Sequence, residues 1–98
     1  MSSYRITLAL GRLAPGVRPE TVLPAAADAA RVRVTVESSD VAVVRGEARI
    51  TVRYTAADDA QAVDVARRVR AVVSTLVDAS DPRLARRYGA RWYRVALS

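Results

Sequence analysis

Between residues 41 and 77 the hydrophobic period changes once, from two to 3.6, and that order limits what the chain can fold into. Ala48, Ile50, Val52 and Tyr54 alternate with Arg49, Thr51 and Arg53, the pattern of a strand with one face buried. Val41 to Val44 precede it, and Gly46 supplies a tight turn between the two runs. Directly afterwards Ala62, Val65, Ala66, Val69, Val72, Val73 and Leu76 recur at three- and four-residue spacing, with Asp64, Arg67, Arg68 and Thr75 on the other side. Thr55 followed by Asp58 has the form of a capping box, and Asp58 and Asp59 complement the dipole at the start of a helix. The spacing predicts a helix over 57–77, with Asp81-Pro82 beyond its end.

The flanks repeat these two motifs. Tyr4, Ile6, Leu8 and Leu10 alternate with polar or small residues and predict a strand, and residues 11–16 predict a loop. Thr21 is placed to cap a short alanine-rich helix over 22–30, with Pro24 in its first turn. Val32, Val34 and Val36 alternate again. Ser38-Ser39-Asp40 then signals either a bulge in one strand over 32–45 or a turn between two. A last strand is predicted over 90–97. The order β-α-β-β-α-β gives an α+β fold, a single domain over 1–98. Its expected form is a ferredoxin-like sandwich, an antiparallel sheet with two helices on one face.

Composition narrows the chemistry. All sixteen basic residues are arginine, set against ten acids for a net charge of +6, and His, Cys and Phe are absent. Without His or Cys there is no triad of the usual kind and no His/Cys zinc site, and no cofactor or metal site is expected. The acidic pairs Asp58/Asp59 and Glu37/Asp40 read as helix-start and turn residues rather than catalysts. No apolar run is long enough to span a bilayer, so a cytoplasmic chain that makes no use of a membrane is expected. The missing Lys, Asn and Phe match the codon bias of a GC-rich genome, so the arginine count has two candidate sources, mutation and function. The net charge of +6, which Asp and Glu could have balanced, is the part that bears on function.

Two partial motifs fail on inspection. Gly11 to Gly16 has the glycine spacing of a phosphate-binding loop, but Val17 and Arg18 stand where Lys and Ser/Thr are needed. What remains is a weak anion site at Arg12 and Arg18. Residues 45–52 partly overlay an RNA-binding strand signature, but Glu47, Arg49 and Val52 occupy the positions of its aromatic rings.

The candidate binding residues are therefore Arg83, Arg86, Arg87, Arg91, Tyr93 and Arg94 in the C-terminal segment, with Arg49 and Arg53 on the hairpin. An uncovered sheet face is expected to carry Arg5, Arg33, Arg49, Thr51 and Arg53. Arginine interleaved with aromatics suits nucleic acid or another polyanion. The competing expectation packs Trp92 or Tyr93 into the core. A helix about 33 Å long, if it runs to Asp78, would overhang a short sheet and expose Val72, Val73, Leu76 and Val77. The leading expectation is accordingly a small non-enzymatic interaction module that forms a homodimer or binds a protein partner, with nucleic-acid or polyanion binding as the alternative.

Overall fold

A computed structural model describes residues 1–97; residue 98, the last of the expected domain, lies outside the described residues. The elements run β1 (Ser2–Leu13), a single 3-10 turn (Pro19–Thr21), α1 (Val22–Arg31), β2 (Val36–Val44), β3 (Glu47–Ala56), α2 (Asp59–Ser74), β4 (Val77–Tyr88) and β5 (Arg91–Val95). The fold is α+β: one antiparallel sheet of five strands in the order β2-β3-β1-β4-β5, with two helices. The sheet has one strand more than the four expected. The expected last strand is β5, an edge strand, and the strand beside β1 is β4, which the helical spacing conceals.

The reason lies at the end of α2. Val72, Val73, Leu76 and Val77 continue the helical spacing, but Val77 and Ala79 also alternate with Asp78 and Ser80. The free edge of β1 decides between the two, pairing Leu13 with Val77 and Leu10 with Ala79. The helix stops at Ser74, and the Thr75 hydroxyl donates to the Val72 carbonyl at 2.7 Å. At 16 residues α2 is about 24 Å long, whereas a 12-residue strand spans about 40 Å. No overhang exists. Val73 and Val77 are buried, and Val72 and Leu76 pack against the same core.

Other boundaries shift for similarly local reasons. Val32 ends α1 and Val34 lies in the bend that follows it, so β2 begins only at Val36. It is one strand with a bulge at Glu37, where Val36 faces Tyr54 and Ser38 faces Arg53. Thr21 does not cap α1 with its side chain; its hydroxyl donates to the Arg18 carbonyl instead. The cap of α2 is Asp58, whose carboxylate accepts from the Gln61 amide at 2.9 Å while Gln61 Oε1 accepts from Ala57 N at 2.8 Å. Asp81-Pro82 does not follow a helix but forms a bulge inside β4, with Asp81 at φ 49°. A bulge is where a strand tolerates proline.

Tyr4, Ile6 and Leu8 of β1, Ile50, Val52 and Tyr54 of β3 and Leu84 of β4 project from one sheet face. They meet Val22, Ala26 and Ala30 of α1 and Ala62, Val65, Val69 and Val73 of α2 in one buried cluster. With no Phe available, Tyr4 and Tyr54 are the largest fully buried side chains, stacked with ring centres 6.3 Å apart. Each hydroxyl is bonded: Tyr4 to Asp59 Oδ1 at 2.6 Å, and Tyr54 to the Ala62 carbonyl at 2.7 Å. Both helices therefore cover one face of the sheet and leave the other open.

Candidate nucleic-acid interface

Strand alternation assigns each candidate to a face. On the open face β1 presents Arg5, Thr7 and Ala9, and β3 presents Arg49, Thr51 and Arg53. Cross-strand register sets Arg5 opposite Arg53 and Thr7 opposite Thr51. On β4 the same face carries Arg83, Ala85 and Arg87, and on β5 it carries Trp92 and Arg94, with Ala85 opposite Arg94 and Arg87 opposite Trp92. Five of the eight predicted residues thus share this surface: Arg49, Arg53, Arg83, Arg87 and Arg94.

Arg86, Arg91 and Tyr93 lie on the opposite face. Arg86 is committed to structure, donating to Asp59 Oδ1 at 3.0 Å and to Ser2 Oγ at 3.1 Å. Its guanidinium also lies 4.7 Å from the Tyr88 ring centre, and Tyr88 meets Tyr93 edge-on at 5.4 Å. Arg33 is not on the sheet at all: it follows α1 and shares a hollow with Gln61, Asp64 and Arg68. Arg12 and Arg18 are exposed at the far end of β1 and in the loop after it, away from the basic face, and Arg18 precedes only the single 3-10 turn.

Trp92 and Arg5 sit at the centre of the face; Arg5 is on the uncovered face as the sequence leads one to expect, though neither is among the eight named binding residues. Trp92 is half-buried there, with the Arg5 guanidinium 4.4 Å and the Arg53 guanidinium 5.3 Å from its ring centre. Neither Trp92 nor the exposed Tyr93 packs into the core, against the competing expectation. β4 lies between Trp92 and Arg5, so their contact spans that strand on the face where Ala85 stands opposite Arg5.

The charge on this face is mixed. Arg49 pairs with Glu47 at 3.2 Å, Arg83 with Asp81 at 3.1 Å, and Arg53 Nε lies 3.6 Å from Glu37 without forming a hydrogen bond. The Ser3 hydroxyl holds Glu37 from the other side at 2.6 Å. Hydrogen bonding to Arg83 keeps the Asp81 carboxyl below its ordinary pKa, with smaller contributions from Arg49 and Arg94. Among the described residues Arg5, Arg87 and Arg94 have no carboxylate partner. They flank Trp92 and form the part of the face with uncompensated positive charge.

The displaced titrations among the tyrosines and aspartates all move away from neutrality. Burial, reinforced by the bond to Asp59, raises Tyr4 to about 12, and burial raises Tyr54 further. The Tyr4 hydroxyl first, and Arg86 second, hold Asp59 below the usual carboxylate range against an opposing effect of burial. Each of these groups keeps one protonation state at neutral pH, unlike an acid or base poised to exchange protons. Among the described residues no three His, Cys, Asp or Glu side chains converge on a point where a metal could be held. Among the described residues no helix is long and apolar enough to cross a membrane.

Fold and surface together define a class: an α+β domain whose two helices cover one sheet face and whose other face presents arginines around one tryptophan. The chain matches no known family model, and no curated protein or solved structure is significantly similar to it.

Proposed function

We propose that this protein is a binding module that holds single-stranded nucleic acid on its open sheet face. The observation that carries this is Trp92 lying against Arg5 and Arg53 on an uncovered surface, flanked by Arg87 and Arg94. Guanidinium groups contact phosphates, and a partly exposed indole supplies a stacking surface for a base, worth ~1–3 kcal/mol by truncation. Stacking tolerates any base, so the expected preference is for single strands over duplex and for charge over sequence. The ion pairs to Glu37, Glu47 and Asp81 lower the net charge of the face and point to moderate rather than tight binding.

The accompanying fold reading is a ferredoxin-like core of the first four strands and two helices, with β5 added at the β4 edge. Its support is the neighbour order β2-β3-β1-β4 and the placing of both helices on one face. In this reading β5 matters functionally, because it brings Trp92 and Arg94 to the open face.

The test is a titration of the protein with a short oligouridylate, following Trp92 fluorescence at several salt concentrations. The indole is the chain's one tryptophan, so its emission reports this face alone. Quenching that weakens steeply with salt, and falls about tenfold or more in affinity in R5A/R94A, supports the proposal. Retention on heparin without any response to the oligonucleotide would reduce the face to a general polyanion surface. No response to either at low salt would overturn the reading.

A further inference from the structure

The two edges of the sheet are built differently. The β5 edge is five residues long and carries Arg91 and Arg94, while the β2 edge is nine residues long and holds no proline and no basic residue. Its acids, Glu37 and Asp40, leave residues 41–44 as an uncharged run, and edges of that kind invite pairing with another strand unless they are blunted. On its helix-facing side β2 presents Val41 and Val43, 56% and 71% exposed. Val41 borders an apolar groove with Leu10, Leu13, Val22, Ala48 and Val77.

The backbone fixes which groups are free. Arg45 and Gly46 both have positive φ, 55° and 77°, the mark of a two-residue type I′ turn closing on the hydrogen-bonded pair Val44–Glu47. By alternation the N–H and C=O groups of Val44, Ala42 and Asp40 turn toward β3, and those of Val43, Val41 and Ser39 turn outward.

We infer that a second copy of this chain adds to that edge, antiparallel and two-fold symmetric about Val41, and continues the sheet across both subunits. In this register Val41 faces the partner's Val41, and Ser39 faces the partner's Val43. All three outward-turned residues then exchange backbone bonds, and the exposed valines of both copies meet on the helix side. Charge selects this register too. Glu37 falls opposite the partner's Arg45. On the open side the partner's Asp40 falls opposite Ala42, whose other neighbour in the ladder is Arg49. Arg49 Nε is buried without a hydrogen-bond partner, so it has an acceptor to gain. Self-association in this mode uses the β2 edge, whereas Trp92 stands on β5 at the other end of the sheet. The two share Glu37 and Arg49, and the Val41 variants, which alter no residue of the open face, separate them.

Light scattering across a concentration series, with circular dichroism as a control of folding, tests the arrangement. The expected mass at high concentration is two chains. Val41→Pro removes an outward N–H that the β2–β3 ladder does not use, and should weaken dimerisation about tenfold or more. Val41→Lys places a charge at the same exposed point and serves if the proline variant unfolds. Arg45→Glu, which sets a carboxylate opposite the partner's Glu37, should weaken the dimer and leave the fold unchanged. A wild-type monomer at millimolar concentration, or a dimer that persists in the folded Val41 variants, would overturn the inference.

Discussion

The Arg5 guanidinium lies 4.4 Å from the centre of the Trp92 ring, so the chain's largest side chain is held on the open sheet face by a charge from a strand two places away. A contact of this kind at a partly exposed site contributes ~0.5–1 kcal/mol. A double-mutant cycle over W92A and R5A, read by urea denaturation, should return a coupling of that size. Strictly additive single effects would mean the ring is held there by packing alone.

Ala85 controls whether that contact forms. It lies between Arg5 and Arg94 in the ladder, on the strand that the Arg5–Trp92 contact spans. Ala85→Leu should lift Trp92 off the sheet, shift its emission to the red, and weaken oligonucleotide quenching. The stability loss should remain small, about 1 kcal/mol or less, because the site is on the surface. An unchanged emission maximum would show that the contact does not depend on the space above Ala85.

Much of this arrangement is legible in the order of residues alone. The alternation at Tyr4, Ile6 and Leu8 and at Ile50, Val52 and Tyr54 specifies two strands with the right faces, because one-sided burial leaves a clean period of two. The helical stripe from Ala62 to Val73 is equally plain. The C-terminal third is not, since Val77 fits both periods and only pairing with Leu13 of β1 selects the strand. Without β4 there is no register for β5. The basic stretch over 83–94 therefore reads as one patch, although its residues alternate between two faces. Trp92 does not emerge as a centre of the site for the same reason: its contacts to Arg5 and Arg53 come from residues more than thirty positions away in sequence.

At the other face Asp59 joins α2 to β1 and β4 by accepting from Tyr4 at 2.6 Å and Arg86 at 3.0 Å. Its carboxyl titrates below the ordinary value, so the folded state prefers it ionised. The resulting stability is present above the unfolded pKa of about 3.9 and is lost as pH falls through the folded value. Tyr4 is raised to about 12, so its contribution is complete below an unfolded pKa of about 10 and declines as pH rises toward the folded value. Melting temperature against pH should fall at both extremes. D59N should flatten the acid limb and Y4F the alkaline one. Y4F should also cost about 1 kcal/mol at neutral pH through the lost hydrogen bond. Wild-type and variant curves of the same shape would remove Asp59 and Tyr4 as the source of the pH dependence.

The β2–β3 turn offers a test of backbone strain that involves no side-chain packing. Gly46 sits at φ 77°, and a Cβ built there meets nothing within 4 Å, so a substitution is opposed by conformation alone. Gly46→Ala should destabilise the monomer by ~1–2 kcal/mol, the left-handed cost for a residue with a side chain. Arg45 already bears that cost at φ 55° in the first turn position. Arg45→Asn, a residue that tolerates this region and favours type I′ turns, should shift stability the other way by ~0.5 kcal/mol. Both belong in urea titrations at low protein concentration, where association along β2 adds nothing to the reading. Equal and negligible effects at the two positions would show that the turn does not hold the type I′ geometry, and the register argued for the β2 edge would lose its anchor.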